Sequence, residues 1–206
     1  MSGTDGHVTL VDAEDVADLG TFLARARRLD ASAVRLHAQG AVLAVTVCAM
    51  EGHGLMGEGT VLGLRAFALA EPASCDVVVG IDAVQDRLAR LRSADSPGPQ
   101  RVALPPVPVI VPWAGLAPPR SGWEPRGQLA GELVAQVAQD GIAEVASVKD
   151  PATRDAVWHR ALPDSGVPSG AALAVHALGF TAPQVQIFGH GRWWRLSTPS
   201  GHVLCR

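Results

Sequence analysis

One pattern occurs twice in the first half of this chain and constrains its fold more than any other. It is a short apolar strand, an Asp-Ala pair and a helix that ends in spaced arginines. The first copy is HVTLVDAEDVADLGTFLARARR, residues 7 to 28, and the second is DVVVGIDAVQDRLARLR, residues 76 to 92. In the first copy Asp12 is placed to cap the helix, because a carboxylate at that position accepts the free N–H groups of the first turn. Val16, Leu19, Leu23 and Ala26 then share one helical face. Glu14 and Asp15 suit the positive end of the helix dipole, and Arg25, Arg27 and Arg28 the negative end. In the second copy Asp82 takes the part of Asp12, and Arg87 and Arg90 echo Arg25 and Arg28.

Strands fill the space between the copies. AVRLHAQG alternates apolar and polar residues, the pattern of a half-buried strand. AVLAVTVCAM is apolar on both faces and reads as a central strand, with a turn expected at Gln39-Gly40. TVLGLRAFALA follows a glycine-rich connection, 52 to 59, and RVALPPVPVIVPW closes the second copy. Prolines 105, 106, 108, 112, 118, 119 and 125 crowd the next stretch. Proline cannot donate to a strand ladder, so this stretch belongs on a sheet edge or in a linker.

The expected organisation is α+β. Residues 1–118 form a repeated strand–helix–strands domain, and 119–206 a smaller helical domain that ends in a β-hairpin. In the second part GQLAGELVAQVAQDGIAEVASV reads as a helix with Gly141 a candidate break. A shorter helix starts at Asp150-Pro151, and PSGAALAVHALGF gives a third that ends at Gly179. QVQIF, RWWRLS and HVLCR finish as strands. Helices followed by a terminal strand pair are the order of a winged-helix domain.

Composition narrows the function classes. The chain is 48% hydrophobic and 18% charged, enough to bury a core. Its formal net charge of −3 gives no general pull towards nucleic acid or acidic membranes. No apolar stretch reaches the roughly 18 to 20 residues a membrane helix needs, and no secretory signal is read at the N-terminus. Three well-separated cysteines, Cys48, Cys75 and Cys205, fit reduced thiols in a cytoplasm better than a disulfide framework.

The motifs for chemistry are few. Gly52-His53-Gly54-Leu55-Met56-Gly57 matches the GxGxxG dinucleotide-binding turn, with Glu71 about 20 residues on as the ribose partner. That fingerprint needs a helix to open at its end, and GEGTVLGLRAF reads as a strand. His202 and Cys205 lie on opposite faces of a strand and cannot share an ion without a bend. Asp82 and Asp86 occupy a first helical turn, where negative charge is stabilising without any catalytic role. Neither a GxSxG elbow nor an SxxK motif occurs. No catalytic residue, cofactor or metal ligand is assigned.

The last sixteen residues, GRWWRLSTPSGHVLCR, carry the strongest surface signal. If Thr198-Pro199-Ser200-Gly201 is a four-residue turn, Ser197 faces His202, Leu196 faces Val203 and Trp194 faces Cys205. Alternation then places Trp194, Leu196, Val203 and Cys205 on a core face. Trp193, Arg195, His202 and Arg206 fall on the other face, where Trp193 reads as a stacked surface ring held by arginine. Those four, with Arg25, Arg28, Arg87 and Arg90 on the helices, are the candidate interaction surface. From 121 to 206 the basic and acidic side chains balance at seven each. The third helix, PSGAALAVHAL, holds no arginine or lysine, which argues against duplex reading by a winged helix.

Two resemblances add to this. The stretches VPWAGLAPPRSGWEP and RLSTPSGHVL resemble an uncharacterised family of high-GC actinobacteria, which implies a cytoplasmic protein and no known activity. The strand–helix–strands unit of 7 to 113 is similar in order to half-domains of sliding clamps. In clamps those helices line the DNA-facing side and carry basic residues, so the resemblance implies that role for Arg25, Arg28, Arg87 and Arg90; Asp15, Asp18 and Asp86 on the same helices run against it.

These readings lead to a non-catalytic intracellular binding or scaffold protein that contacts protein partners or itself, with no membrane. Two alternatives stay open. One is a nucleic-acid-associated clamp-like protein that uses the helix arginines. The other is a small-ligand or nucleotide-binding enzyme that uses the 52–59 loop.

Overall fold

The computed structural model describes residues 6–54, 56–94, 98–148 and 150–206. The chain divides into two compact units, Met1–Val47 with Leu64–Ala114, and Cys48–Gly63 with Gly115–Arg206.

The first unit is built around β1 (His7–Leu10), β2 (Ala33–Met50), β3 (Val61–Gly80) and β4 (Gln100–Ala103), with helices α1 (Ala13–Arg27) and α2 (Ile81–Ala94). The far ends of β2 and β3 belong to the second unit. β1 lies between β4 and β3, antiparallel to both, with Val8 opposite Val102 and Leu10 opposite Leu69. β2 pairs with β3. Asp76 holds Arg35 through two 2.7 Å hydrogen bonds, and the Cys75 thiol reaches the Leu36 carbonyl, so the start of β2 lies beside the end of β3. Val16, Leu19, Phe22, Leu23, Val84 and Leu88 turn inward and are almost fully buried.

The capping reading of Asp12 holds: its carboxylate accepts the Asp15 amide at 2.9 Å. Asp82 does not repeat it. β3 runs to Gly80 and α2 begins at once at Ile81, whose amide donates to the Ser32 carbonyl at 2.9 Å. Asp82 therefore stands inside the first turn and pairs with Arg27 of α1 at 3.1 Å. The two helices pack side by side here, with Gly20 against Leu88. Two further expectations change. AVRLHAQG and AVLAVTVCAM are one 18-residue strand, in which Gly40 takes a φ of 62°. RVALPPVPVIVPW is a strand only as far as Ala103; among the described residues the proline-rich remainder keeps an isolated bridge, Val79 to Pro108, and a short 3-10 turn at Pro112–Gly115, because each proline removes a ladder donor.

The second unit contains β5 (Glu124–Ala130), α3 (Gly131–Val148), α4 (Pro151–His159), α5 (Gly170–Ala177), β6 (Gln184–His190), β7 (Trp193–Thr198) and β8 (Gly201–Cys205). The strands run in the order β5-β6-β7-β8, and β8 borders the start of β3. There the Gly59 amide donates to the Arg206 carbonyl at 2.8 Å. The sheet therefore takes β5 from before the helices and the rest from after them.

β5 joins the end of the proline-rich stretch, expected on a sheet edge or in a linker, to residues expected as the start of the helix; the edge is what forms. Its alternation is blurred by a register shift between Pro125 and Gly127, where Gly127 has a φ of 124°. As an edge strand it tolerates Pro125. α3 starts at Gly131, later than the sequence pattern suggests. The Gly131 amide donates to the Pro183 carbonyl, and a Cβ there would stand 1.7 Å from the Ala182 oxygen, so only glycine fits the junction. The helix passes through Gly141 unbroken. α4 and α5 lie as expected, with Asp150 accepting the Thr153 amide at 3.0 Å and Gly179 at a φ of 74° beyond the end of α5.

Candidate interaction surface

The terminal hairpin has the register that its turn length dictates. Ser197 pairs with His202, Leu196 with Val203 and Trp194 with Cys205. β6 extends this register, with Phe188 opposite Arg195 and Gln186 opposite Ser197. Leu196, Val203 and Cys205, with Val185 and Ile187 of β6, are fully or almost fully buried, and α5 packs onto β8. The opposite face carries Gln186, Phe188, Arg195, Ser197 and His202, all half-buried or exposed.

Arg195 is the centre of that face. Its guanidinium carbon lies 4.4 Å from the centroid of the Phe188 ring and 4.9 Å from that of Trp123. Cation–π attraction of this kind is worth from about 0.5 to 2 kcal/mol, more as water is excluded. Partial burial holds the Arg195 pKa below the ordinary guanidinium value. Its Nε is buried and has no hydrogen-bond partner among the described residues. A donor left in that state costs roughly 1–3 kcal/mol. Trp123 is fixed by its indole N–H, which donates to the Pro119 carbonyl at 3.0 Å, and its ring meets His190 edge-on. The Nδ1 of His190 is 2.8 Å from the Gly122 carbonyl.

Beside Arg195, the His202 ring lies 2.9 Å from the Ser197 hydroxyl. Burial, and after it the charge of Arg195, lowers the His202 pKa. A hollow of about 430 Å³ opens over the group, lined by Gln184, Gln186, Phe188, Arg195, Ser197, Thr198, Pro199 and His202. Among the described residues no carboxylate lines it.

The four hairpin residues of the sequence reading fall into two pairs. Arg195 and His202 share the hollow. Trp193 is not a surface ring: only 8% of it is exposed. Arg206 covers it, with the guanidinium carbon 5.4 Å from the ring centroid. The cation–π contact expected for Trp193 is present, but it seals the ring instead of presenting it.

The helix arginines form no comparable group. Arg28 and Arg90 are exposed, while Arg25 and Arg87 are half-buried. Arg87 turns back to the Ala83 carbonyl of its own helix at 2.7 Å. The outward row of α1 is Glu14, Ala17, Thr21, Ala24 and Arg28, and that of α2 includes Asp82, Asp86 and Arg90. Each row begins with a carboxylate and ends with an arginine, and Asp18 is held by Arg65.

The glycine-rich loop is a hairpin end. His53 and Glu58 face each other as a bridge, closed by the His53 amide on the Glu58 carbonyl at 2.7 Å. Gly54, Gly57 and Gly59 take positive φ, and β3 follows with no helix opening. The dinucleotide fingerprint therefore lacks the helix N-terminus that would receive a pyrophosphate. Glu71, its expected ribose partner, instead accepts the Thr9 hydroxyl at 3.2 Å. His53 lies 3.4 Å from Asp155 and stacks on His159. Among the described residues no group of three or more His, Cys, Asp or Glu is placed to hold a metal ion, and no helix is long and apolar enough to cross a membrane.

Sequence reasoning missed Trp123, Phe188, Gln184 and Gln186. QVQIF carries a usable signal, since alternation puts Gln184, Gln186 and Phe188 on one face. Trp123 carries none: it precedes an edge strand whose alternation is broken between Pro125 and Gly127.

Residues 3–115, more than half of the chain, match the model of a domain of unknown function (DUF8010). The chain belongs to this family. Residues 118–206 match a second such model, DUF8185. Comparison with curated proteins gives no match. Among solved structures this DUF8010 protein is similar to bacterial sliding clamps. The DNA polymerase sliding clamp of Caulobacter crescentus superposes with a TM-score of 0.59 at 11% identity, covering 98% of this chain and 65% of the clamp. The griselimycin-bound clamp of Bartonella birtlesii gives 0.58 at 12%, covering 97% and 64%. The DNA polymerase III beta subunit of Thermotoga maritima gives 0.51 at 16%, also covering 97% and 64%. The protein thus has an α+β fold of the sliding-clamp type and spans less than two thirds of the length of these clamps.

Proposed function

We propose that this protein is a clamp-folded, non-catalytic binding module of the cytoplasm that contacts protein partners through the outer face of β6, β7 and β8. The observation that carries this reading is Arg195. It is a cation held against two aromatic rings on an open sheet face, whose opposite side is core. Aromatic rings and arginine are the residue types that anchor protein interfaces. The fold adds to this, since the similar solved structures are sliding clamps.

Protein is favoured over duplex DNA by charge. DNA affinity arises from cations that neutralise phosphates. The outward rows of α1 and α2 mix aspartate and glutamate with arginine, and the chain carries a net charge of −3.

The test has two arms. The full chain is titrated with a fluorescent DNA duplex at low and at physiological salt, and, tagged, it is used to capture proteins from cell extract. The expected result is duplex binding no tighter than non-specific, roughly 10⁻⁴ M or weaker at physiological salt, with capture of a protein that Arg195→Ala no longer holds. Tight duplex binding that falls steeply with salt, lost in Arg28→Ala/Arg90→Ala, would replace this reading with the nucleic-acid one.

A further inference from the structure

We propose that the hollow over Arg195 is a carboxylate-binding site, and that it takes an aspartate or glutamate side chain from an acidic segment of a partner protein. This deepens the reading above and rests on it.

Three observations point to an anion. In this unit Arg126, Arg160 and Arg192 are paired with Glu124, Glu144 and Glu58. Among the described residues Arg195, like Arg120, Arg154 and Arg206, has no such carboxylate; what sets it apart is an Nε donor that is buried without an acceptor. The remaining polar lining is neutral: Gln184, Gln186, Ser197, Thr198 and His202. A planar guanidinium with spare donors, held in place by Phe188 and Trp123, is pre-organised for the two oxygens of a carboxylate.

Two more observations select the anion and its source. Among the described residues that line the hollow Arg195 is the one permanent cation, and burial with the neighbouring guanidinium lowers the His202 pKa. One charge matches a singly charged carboxylate better than a phosphate dianion. The hollow also lies on the open sheet face, with the Phe188 ring and Pro199 on its wall and Trp123 against Arg195. Those groups offer apolar surface to residues that flank an acidic side chain in a peptide, and a small free acid would leave them unused.

The experiment uses the full chain labelled with ¹⁵N and follows the Arg195 side-chain N–H and the Trp123 indole N–H. The probes are an oligoglutamate peptide, an oligoglutamine peptide of equal length, free glutarate and inorganic phosphate. A saturable shift of both signals is expected with oligoglutamate and none with oligoglutamine, while glutarate and phosphate bind at least about tenfold more weakly. Arg195→Gln should remove the shift with the remaining spectrum unchanged, and Arg195→Lys should weaken it, since lysine keeps the charge but loses the planar fork. Equal binding to Arg195→Gln, equal binding of oligoglutamine, or glutarate or phosphate as tight as oligoglutamate would overturn the proposal. If the acidic probes fail while Arg195-dependent partner capture succeeds, this inference falls and the binding-module reading stands. If a DNA duplex alone moves the Arg195 signal, both fall.

Discussion

Gly141 of α3 lies directly against the indole of Trp158 of α4. A Cβ built on Gly141 would stand 2.5 Å from Cζ3 and 2.6 Å from Cη2 of that ring. Mid-helix glycine is ordinarily a weakness, so this one marks a contact that no larger residue allows. Alanine would gain up to about 1 kcal/mol of helix propensity and lose more to overpacking, which costs roughly 1–3 kcal/mol. Gly141→Ala is expected to destabilise the protein by about 1–2 kcal/mol in urea unfolding. A stabilised variant would show that α4 can move away freely.

Asp12 closes the N-terminus of α1 by accepting the Asp15 amide. Asp12→Ala leaves that donor without its partner and should cost about 0.5–2 kcal/mol. Asp12→Asn keeps an acceptor oxygen and should lose far less. Denaturant midpoints for the pair separate capping from a general loss of charge.

Leu196 is fully buried opposite Val203 in the terminal hairpin. Leu196→Ala leaves a cavity in the face that α5 covers, with an expected cost of about 2–5 kcal/mol. Ser197→Ala, one residue along on the outer face, gives up the contact with His202 and should cost only about 0.5–1.5 kcal/mol. Similar losses in both variants would mean that the outer face is packed as tightly as the inner.

All three cysteines are buried thiols outside any disulfide. Burial pushes the Cys205 and Cys48 thiols up to about 12, so neither forms appreciable thiolate near neutral pH. The folded protein should therefore react negligibly with a disulfide reagent at pH 8, and release three thiol equivalents in guanidinium. Fast labelling of the native chain would show local opening around β8 or the end of β2.

His202 is held below the ordinary imidazole value of 6.5, first by burial and then by Arg195. The unfolded chain then takes up this proton before the folded one does. Its contribution to stability is fully present above about pH 6.5 and is lost as pH falls through the lower folded value. The urea midpoint of the parent should fall more steeply below pH 6.5 than that of His202→Gln. Parallel curves would show that His202 titrates as it would in water.

Local features were legible in the sequence because local physics sets them. The apolar spacing of α1 and the short side chain of Asp12 specify a capped helix, since every relevant contact lies within four residues. The terminal hairpin register follows from the four residues between Ser197 and His202 and from strict alternation. Three other features were decided only by tertiary structure. β5 exists because β6 offers it a ladder, and Pro125 with Gly127 hides that from any local pattern. Asp82 pairs with Arg27 because two helices distant in sequence pack together. The surroundings of Arg195 required Trp123, far upstream, to reach the same guanidinium as Phe188. Pattern and spacing report which way a side chain points along its own strand or helix. Which partner it meets there depends on long-range packing, where burial, charge and hydrogen bonding are settled together.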